Sequence, residues 1–222
     1  MKRLAIAVVG LALVVGVACG ESGPSQPTPT PAARPAATAE LSPAARNVTI
    51  ADAPHYLDVG SVLPGFRRID PAEAGVDLSQ IGPEASLAAY LSEQPFQSLI
   101  MYSEVLTNAV DKASTKAEMR GDTYPETFLT SVMDPVAQQL GGHLVKTDIQ
   151  WSDPPVGDIA HLASVRAEVV GGTADIKFLI FLQEQGTGMA LVSIYSFSLA
   201  DEPAAVDVLT VGKEISAKIA NP

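Results

Sequence analysis

Residues 159–199 decide the fold, and they read IAHLASVRAEVVGGTADIKFLIFLQEQGTGMALVSIYSFSL. The stretch contains three β-rich runs, over Ile159–Val170, Ala174–Gln183 and Met189–Leu199. Both connections between these runs are short and contain glycine. Such connections are typical of hairpins, so we expect three antiparallel strands that are neighbours in one sheet.

The middle run carries apolar side chains on both of its faces. Ile176, Phe178, Ile180 and Leu182 alternate onto one face, while Leu179 and Phe181 lie on the other. A sheet that is apolar on both faces must be covered on both faces, by helices, by a second layer or by a ligand.

The chain on the N-terminal side of this stretch adds helices and further strands. His143–Trp151 reads as a fourth strand, before the turn-rich segment 152–158. Thr123 and Glu126 have the spacing of a capping box, and the apolar residues after them recur at helical intervals. These apolar residues are Leu129, Val132, Val136 and Leu140, and Gly141-Gly142 should end that helix. A shorter helix is predicted through Met119, with Asn108 as its cap.

The remaining elements complete an α+β domain. We predict strands over residues 66–70, 86–91 and 97–107, although the last segment could equally start a helix, and a loop over residues 70–84. A terminal helix should start at Glu202-Pro203 and bury Val208, Val211, Ile215 and Ile219. The expected fold is a single domain over residues 47–222, an antiparallel sheet with helices packed on both faces.

The N-terminus has the pattern of a secretory signal. Lys2 and Arg3 precede 15 residues without a charge, Leu4–Ala18, which are too few to span the hydrocarbon core of a bilayer. The run ends at Cys19, the only cysteine of the chain. This pattern resembles the lipobox of bacterial lipoproteins, which implies cleavage after residue 18 and lipidation of Cys19. An ordinary secretory signal or an uncleaved short anchor are the alternatives.

The segment after the cysteine is a linker, and the overall charge limits the partners. Residues 19–46 are rich in Pro, Ala and Thr, a composition that favours an extended, semi-rigid stalk. The net charge of −11 argues against a nucleic-acid partner, which would require a basic face. Attachment to the membrane would come from the acyl chains, and two chains are enough for stable anchoring.

The order of elements is similar to that of PsbP-like proteins: a short strand, a strand pair, helices, a four-strand meander and an amphipathic terminal helix. The resemblance covers about residues 60–220 and includes no diagnostic motif. It implies an antiparallel sheet with helices on both faces, and a protein that binds partners without catalysis. No functional residue is carried over from that family.

Few residues point to a chemical site. His55, His143 and His161 have no metal-ligand spacing, although the topology could bring His143 close to His161. Asp148, Asp153 and Asp158 recur around Trp151 and are weak candidates for a calcium site, with a solvated acidic hairpin as the favoured interpretation. Trp151 with Asp148 and Asp153 is also the one constellation that suggests a hydrolase.

The apolar faces of the sheet offer a second kind of site. Leu179, Phe181, Val192 and Ile194 could line a groove for a small apolar ligand such as a lipid, although packing beneath helices is favoured for them. We therefore expect a non-catalytic binding or assembly module without a cofactor, held at the extracytoplasmic face of the cell membrane. Its partner would be a protein that docks on the sheet or on a sheet edge. A carrier or sensor of a small apolar ligand is the alternative, and a hydrolase is the third hypothesis.

Overall fold

The computed structural model describes residues 46–221 except residues 75, 77–81, 84, 140 and 171. The side chains of residues 131, 135, 136, 139, 146 and 147 also lie outside this description. The predicted signal, Cys19 and nearly all of the predicted linker fall on residues that are not described.

An antiparallel sheet forms the centre of the described part, as the alternating pattern predicts. Its seven strands lie in the order β1-β2-β3-β7-β6-β5-β4, and every neighbouring pair is antiparallel. In chain order they are β1 Arg67–Ile69, β2 Ala85–Glu93, β3 Phe96–Leu106, β4 His143–Ser152, β5 Ile159–Val169, β6 Gly172–Gln185 and β7 Gly188–Leu199. The C-terminal meander is confirmed, and segment 97–107 is a strand and not the start of a helix.

In the described part of the chain, five α-helical segments lie outside the sheet. They are α1 Ala53–Tyr56, α2 Ala109–Met119, α3 Tyr124–Phe128, α4 Asp134–Gln139 and α5 Val208–Ala220, with a π-helical turn, Leu129–Met133, between α3 and α4. The predicted cap of α2 is confirmed, because the Asn108 side chain accepts a hydrogen bond from the backbone N–H of Val110 at 2.8 Å.

The predicted capping box at Thr123 is wrong. Thr123 has helical dihedral angles (φ −89°, ψ −5°), and its side chain makes no capping hydrogen bond. An N-cap residue needs extended dihedrals to turn its oxygen back toward the first turn. Since the backbone N–H of Tyr124 already bonds to Gly121, the chain coils before Thr123 is reached.

The predicted apolar stripe of this helix is only partly right where it can be compared, since the side chain of Val136 and all of Leu140 lie outside the described residues. Leu129 and Val132 are partly buried, whereas Phe128, Met133 and Ala137 are buried. Across the π-helical turn the buried residues Phe128 and Met133 are five positions apart, which shifts the buried face relative to a regular helix. The predicted end is confirmed: Gly141 has φ +71°, and Gly142 donates to the carbonyl of Ala137 at 3.0 Å.

Helix α5 begins later than the predicted Glu202-Pro203 start. The buried side chain of Gln97 binds both backbone groups of Val206: its Oε1 accepts from the N–H at 2.9 Å and its Nε2 donates to the carbonyl at 3.0 Å. This pair of bonds holds Val206 outside a helix, and Asp207 then caps α5. The predicted stripe of Val208, Val211, Ile215 and Ile219 is confirmed, since all four side chains are fully buried.

The helices cover both faces of the sheet, as predicted. We call the side beneath α1 and α5 the α5 face, and the side beneath α3 and α4 the α3 face. Leu179 and Phe181 pack on the α5 face, while Ile176 and Phe178 pack on the α3 face. Residues 46–221 thus contain the sheet, both of its covers and the buried clusters between them, so we expect this part of the chain to fold by itself.

Gly212 provides a test of the packing between α5 and the sheet. A Cβ atom at this position would overlap the buried side chain of Leu179 and contact Val156. Gly212→Val should therefore lower the free energy of unfolding by about 2 kcal/mol, because the core has no space for the added atoms. Chemical denaturation would measure the change.

Ala217→Val is the matched control, because Ala217 lies on the exposed side of the same helix. There the substitution changes only helix propensity, worth about 0.6 kcal/mol. Equal losses in the two variants would contradict the close packing at Gly212.

Candidate functional site

The three aspartates around Trp151 do not come together. Asp148 lies 3.7 Å from Arg166, Asp153 lies 2.7 Å from His161, and Asp158 accepts a hydrogen bond from the backbone of Glu184 at 2.7 Å. The three carboxylates therefore face three different partners and do not form the predicted calcium cluster. Among the described residues, no group of three His, Cys, Asp or Glu side chains could share a metal ion.

His143 and His161 lie far apart, so the expectation that they might be close is wrong. His143 is opposite Glu168 in the β4–β5 pair, and its Nε2 lies 3.2 Å from that carboxylate. His161 is seven positions away from Glu168 along β5, or about 23 Å at the usual rise per residue. His55 is exposed in α1.

Of the three histidines, His161 has the most extensive set of contacts. Its Nδ1 lies 2.7 Å from Asp153 Oδ1, and its Nε2 lies 2.7 Å from the carbonyl oxygen of Met119. The Trp151 ring stacks on the imidazole at a centroid distance of 5.4 Å, and the Tyr124 ring lies at 5.1 Å. The side chain of His161 is only 13% exposed.

These contacts favour a structural role for His161. A carboxylate and a backbone carbonyl only accept hydrogen bonds, and each ring nitrogen of His161 faces one of these acceptors. A general base needs a free nitrogen lone pair directed at a substrate, and neither nitrogen points toward open space here. The imidazole instead connects β5, the loop after β4 and the C-terminal end of α2, where a donor is favourable.

Aromatic rings continue from this histidine into the core of the α3 face. Phe128 lies 5.8 Å from Trp151 and 4.3 Å from Phe178, which in turn lies 4.3 Å from Tyr195. The Tyr195 hydroxyl is buried and has no hydrogen-bond partner. Burial raises the pKa of Tyr195, and the nearby Tyr124 raises it further. Burial, with a smaller contribution from Glu118, also raises the pKa of Tyr124.

The predicted groove on the α5 face is not open. The side chains proposed to line it are fully buried in the core beneath α1 and α5: Leu179, Phe181, Val192 and Ile194. The groove is closed because α5 lies directly on this part of the sheet, with Gly212 packed against Leu179. The favoured packing interpretation is therefore the right one for these residues.

Sequence reasoning missed an open strip on the opposite face. On the α3 face, Leu87, Ile100, Tyr102 and Ile180 are only partly buried, although all four lie on strands inside the sheet. We call this strip the trough. A pocket of about 180 Å³ lies at one end and is lined by Gly82, Pro83, Ala85, Tyr102 and Glu104. The sequence carries no signal for the trough, because its residues alternate like any other core strand.

Comparisons with known proteins do not identify a family for this chain. No protein-family profile matches the chain, and no curated protein matches it. A search of solved structures finds LpqN of Mycobacterium tuberculosis, described as involved in cell envelope biogenesis. The two are 13% identical, the match covers 72% of this chain and 83% of LpqN, and the TM-score is 0.30. A TM-score this low does not establish a common fold, and the resemblance to PsbP-like proteins stays a prediction.

Substitution of His161 tests its structural role. His161→Ala removes the hydrogen bonds to Asp153 and Met119 and leaves the carbonyl of Met119 without its side-chain donor. We expect a loss of about 2 kcal/mol in the free energy of unfolding.

His143→Ala serves as the control, because His143 and its partner Glu168 are both largely exposed. Exposed pairs of this kind contribute less than about 1 kcal/mol. If the two variants unfold at the same denaturant concentration, the bonds of His161 do not support the fold.

Proposed function

We propose that this protein is a lipid-anchored, extracytoplasmic binding or assembly module without catalytic activity. The proposal rests chiefly on Cys19, the sole cysteine of the chain, which ends the uncharged run Leu4–Ala18. Removal of the basic residues before that run leaves an acidic protein, which an anionic lipid surface repels, so acyl chains would have to supply the attachment.

The start of the described domain supports the role of the linker. Arg46 is exposed, and the next residues bind the hairpin between β6 and β7: Asn47 Oδ1 accepts from the N–H of Thr187 at 2.8 Å. The first described residues, directly after the Pro-rich segment, thus belong to the packed domain. In an extended conformation that segment would hold the domain about 80 Å from the bilayer. None of the described helices is long and apolar enough to cross a membrane.

The geometry around His161 supports a non-catalytic role. Both of its ring nitrogens face acceptors, and Asp148 pairs with Arg166 instead of joining Asp153 beside Trp151. The hydrolase hypothesis required these groups to act together on one substrate. For a protein partner, the outer edge of β4 is the longer of the two sheet edges, since β1 has only three residues.

Substitution of Cys19 tests the anchor. Cys19→Ser should abolish incorporation of a labelled fatty acid, because serine has no thiol to form the thioether. The unlipidated chain should leave the membrane fraction and appear as a soluble secreted protein. Metabolic labelling and cell fractionation in the native host would measure both effects.

Moving the cysteine provides the matched control. The double variant Cys19→Ser/Ser22→Cys keeps one cysteine but places it away from the end of the apolar run, so it should stay unlabelled and soluble. If Cys19→Ser stays in the membrane, the apolar segment is an uncleaved anchor. If the double variant is labelled, the position of Cys19 is not what the lipid-transferring enzyme recognises.

A further inference from the structure

Helix α2 has few contacts with the rest of the fold. Of its 11 residues only Met119 is buried, and Val110 in its first turn is 72% exposed. Helix α5 buries five residues and lies against β6 and β7, whereas α2 makes no comparable backbone approach to any other described element. An isolated helix of this length is only marginally stable in water, so α2 depends on the contacts that it does make.

The apolar contact of α2 is the side chain of Met119. It packs on the α3 face in a cluster with Leu182, Met189 and Leu191. Leu182 and Met189 are fully buried, although both lie close to the end of the β6–β7 hairpin. One apolar side chain of α2 therefore takes part in closing this end of the sheet.

The other contacts of α2 are polar. Lys112 donates to the carbonyl of Thr187 at 2.7 Å, and Lys116 Nζ lies 2.7 Å from Glu184 Oε1. At the last turn, the Met119 carbonyl oxygen lies 2.7 Å from His161 Nε2. Because these partners belong to the β6–β7 hairpin and to β5, the helix lies across the cluster that contains Met119.

Contacts of this kind break more easily than the packing beneath them. The side chains of Lys116 and Glu184 are 25% and 46% exposed, so water and salt compete with the ion pair. By contrast, β6 is paired with β5 and β7 along nearly its whole length. Segments with few buried apolar contacts open at a much lower free energy than the core does. The opening of α2 therefore does not require the sheet to unfold.

We propose that α2 is a lid that opens as a unit while the sheet and α5 stay folded. In the closed state Met119 covers Leu182 and Met189, and in the open state these side chains meet solvent. The change of direction is confined to residues 107–108 and 120–123, which join α2 to β3 and α3. This inference goes beyond the proposed function, since it gives the domain two states that differ in the apolar surface they present.

Cysteine labelling in the domain of residues 46–222 tests the lid. This domain contains no cysteine, because Cys19 is the only one in the chain. Leu182→Cys places a thiol beneath α2, and Leu179→Cys is the matched control, since both leucines are fully buried on β6 and Leu179 faces α5. A polar maleimide should label Leu182→Cys about a hundredfold faster than Leu179→Cys, because the control thiol is exposed only when the core unfolds.

Urea separates the opening of the lid from global unfolding. Low concentrations of urea should leave the labelling rate of Leu182→Cys almost unchanged, because an opening lid exposes little surface. The same concentrations should accelerate the labelling of Leu179→Cys, which depends on exposure of the whole core.

Loss of one lysine should favour the open state. Lys116→Met removes the ion pair with Glu184, so in the Leu182→Cys background it should raise the labelling rate about threefold. Lys213→Met is the control, because Lys213 is an exposed residue of α5, and it should leave the rate unchanged.

Amide hydrogen exchange of the unsubstituted domain provides a readout that does not depend on a cysteine variant. The amides of residues 112–119 in α2 should share a similar, low protection factor, as expected for a helix that opens as a unit. The amides of residues 212–219 in α5 should exchange only on global unfolding.

Three results would overturn the proposal: equal labelling of Leu182→Cys and Leu179→Cys with the same dependence on urea, exchange of the α2 amides only on global unfolding, or equal effects of Lys116→Met and Lys213→Met on the labelling rate. Because this domain lacks Cys19, none of these outcomes depends on whether the anchor is correctly assigned.

Discussion

The arrangement of the whole domain depends on the two apolar faces of β6. Phe178 and Leu182 point to one side of this strand and Leu179 and Phe181 to the other, and all four are at most 2% exposed. Burial of each such side chain contributes about 2 kcal/mol, so neither face can be left to water without a large loss of stability. Helices α3 and α4, which precede the meander, and α5, which follows it, therefore lie on opposite sides of the same sheet.

The two faces of the sheet are covered in different ways. On the α5 face, one continuous helix of 13 residues lies close to the sheet, because Gly212 has no side chain to hold it away. On the α3 face, the cover is made of short pieces, and α2 buries only Met119. Polar contacts hold α2 in place: Lys112 donates to the carbonyl of Thr187 at 2.7 Å, and Lys116 lies 2.7 Å from Glu184. On this face Leu87, Ile100, Tyr102 and Ile180 are only partly buried.

Much of the fold could be predicted because its signals are local. Alternation along β5, β6 and β7 predicted three neighbouring strands, and the stripe from Val208 to Ile219 predicted the buried side of α5. The start of α5 could not be predicted, because the group that delays it is Gln97, more than 100 residues earlier in the chain. The shift of the buried face between Phe128 and Met133 could not be predicted either, because a π-helical turn has no distinct sequence pattern.

The candidate sites were harder to predict, because they depend on the register of β4 against β5. Trp151 and Asp153 were grouped from the sequence, whereas His161 was not placed beside them. Its position there requires Trp151 to pair with Ala163. The regular pairing of these strands is interrupted between Leu144 and Ile149. A register predicted by counting residues from His143 would therefore assign the wrong partner to every residue after the interruption.

The first described residues of the chain bind the end of the β6–β7 hairpin. The N–H of Val48 donates to the carbonyl of Gln185 at 3.1 Å, and Val48 is itself part of the core on the α5 face. The proposed stalk would therefore join the domain at the end of the β6–β7 hairpin. The backbones of β6 and β7 are paired along the full length of the hairpin, so a force on the proposed stalk would act on a continuously paired part of the sheet.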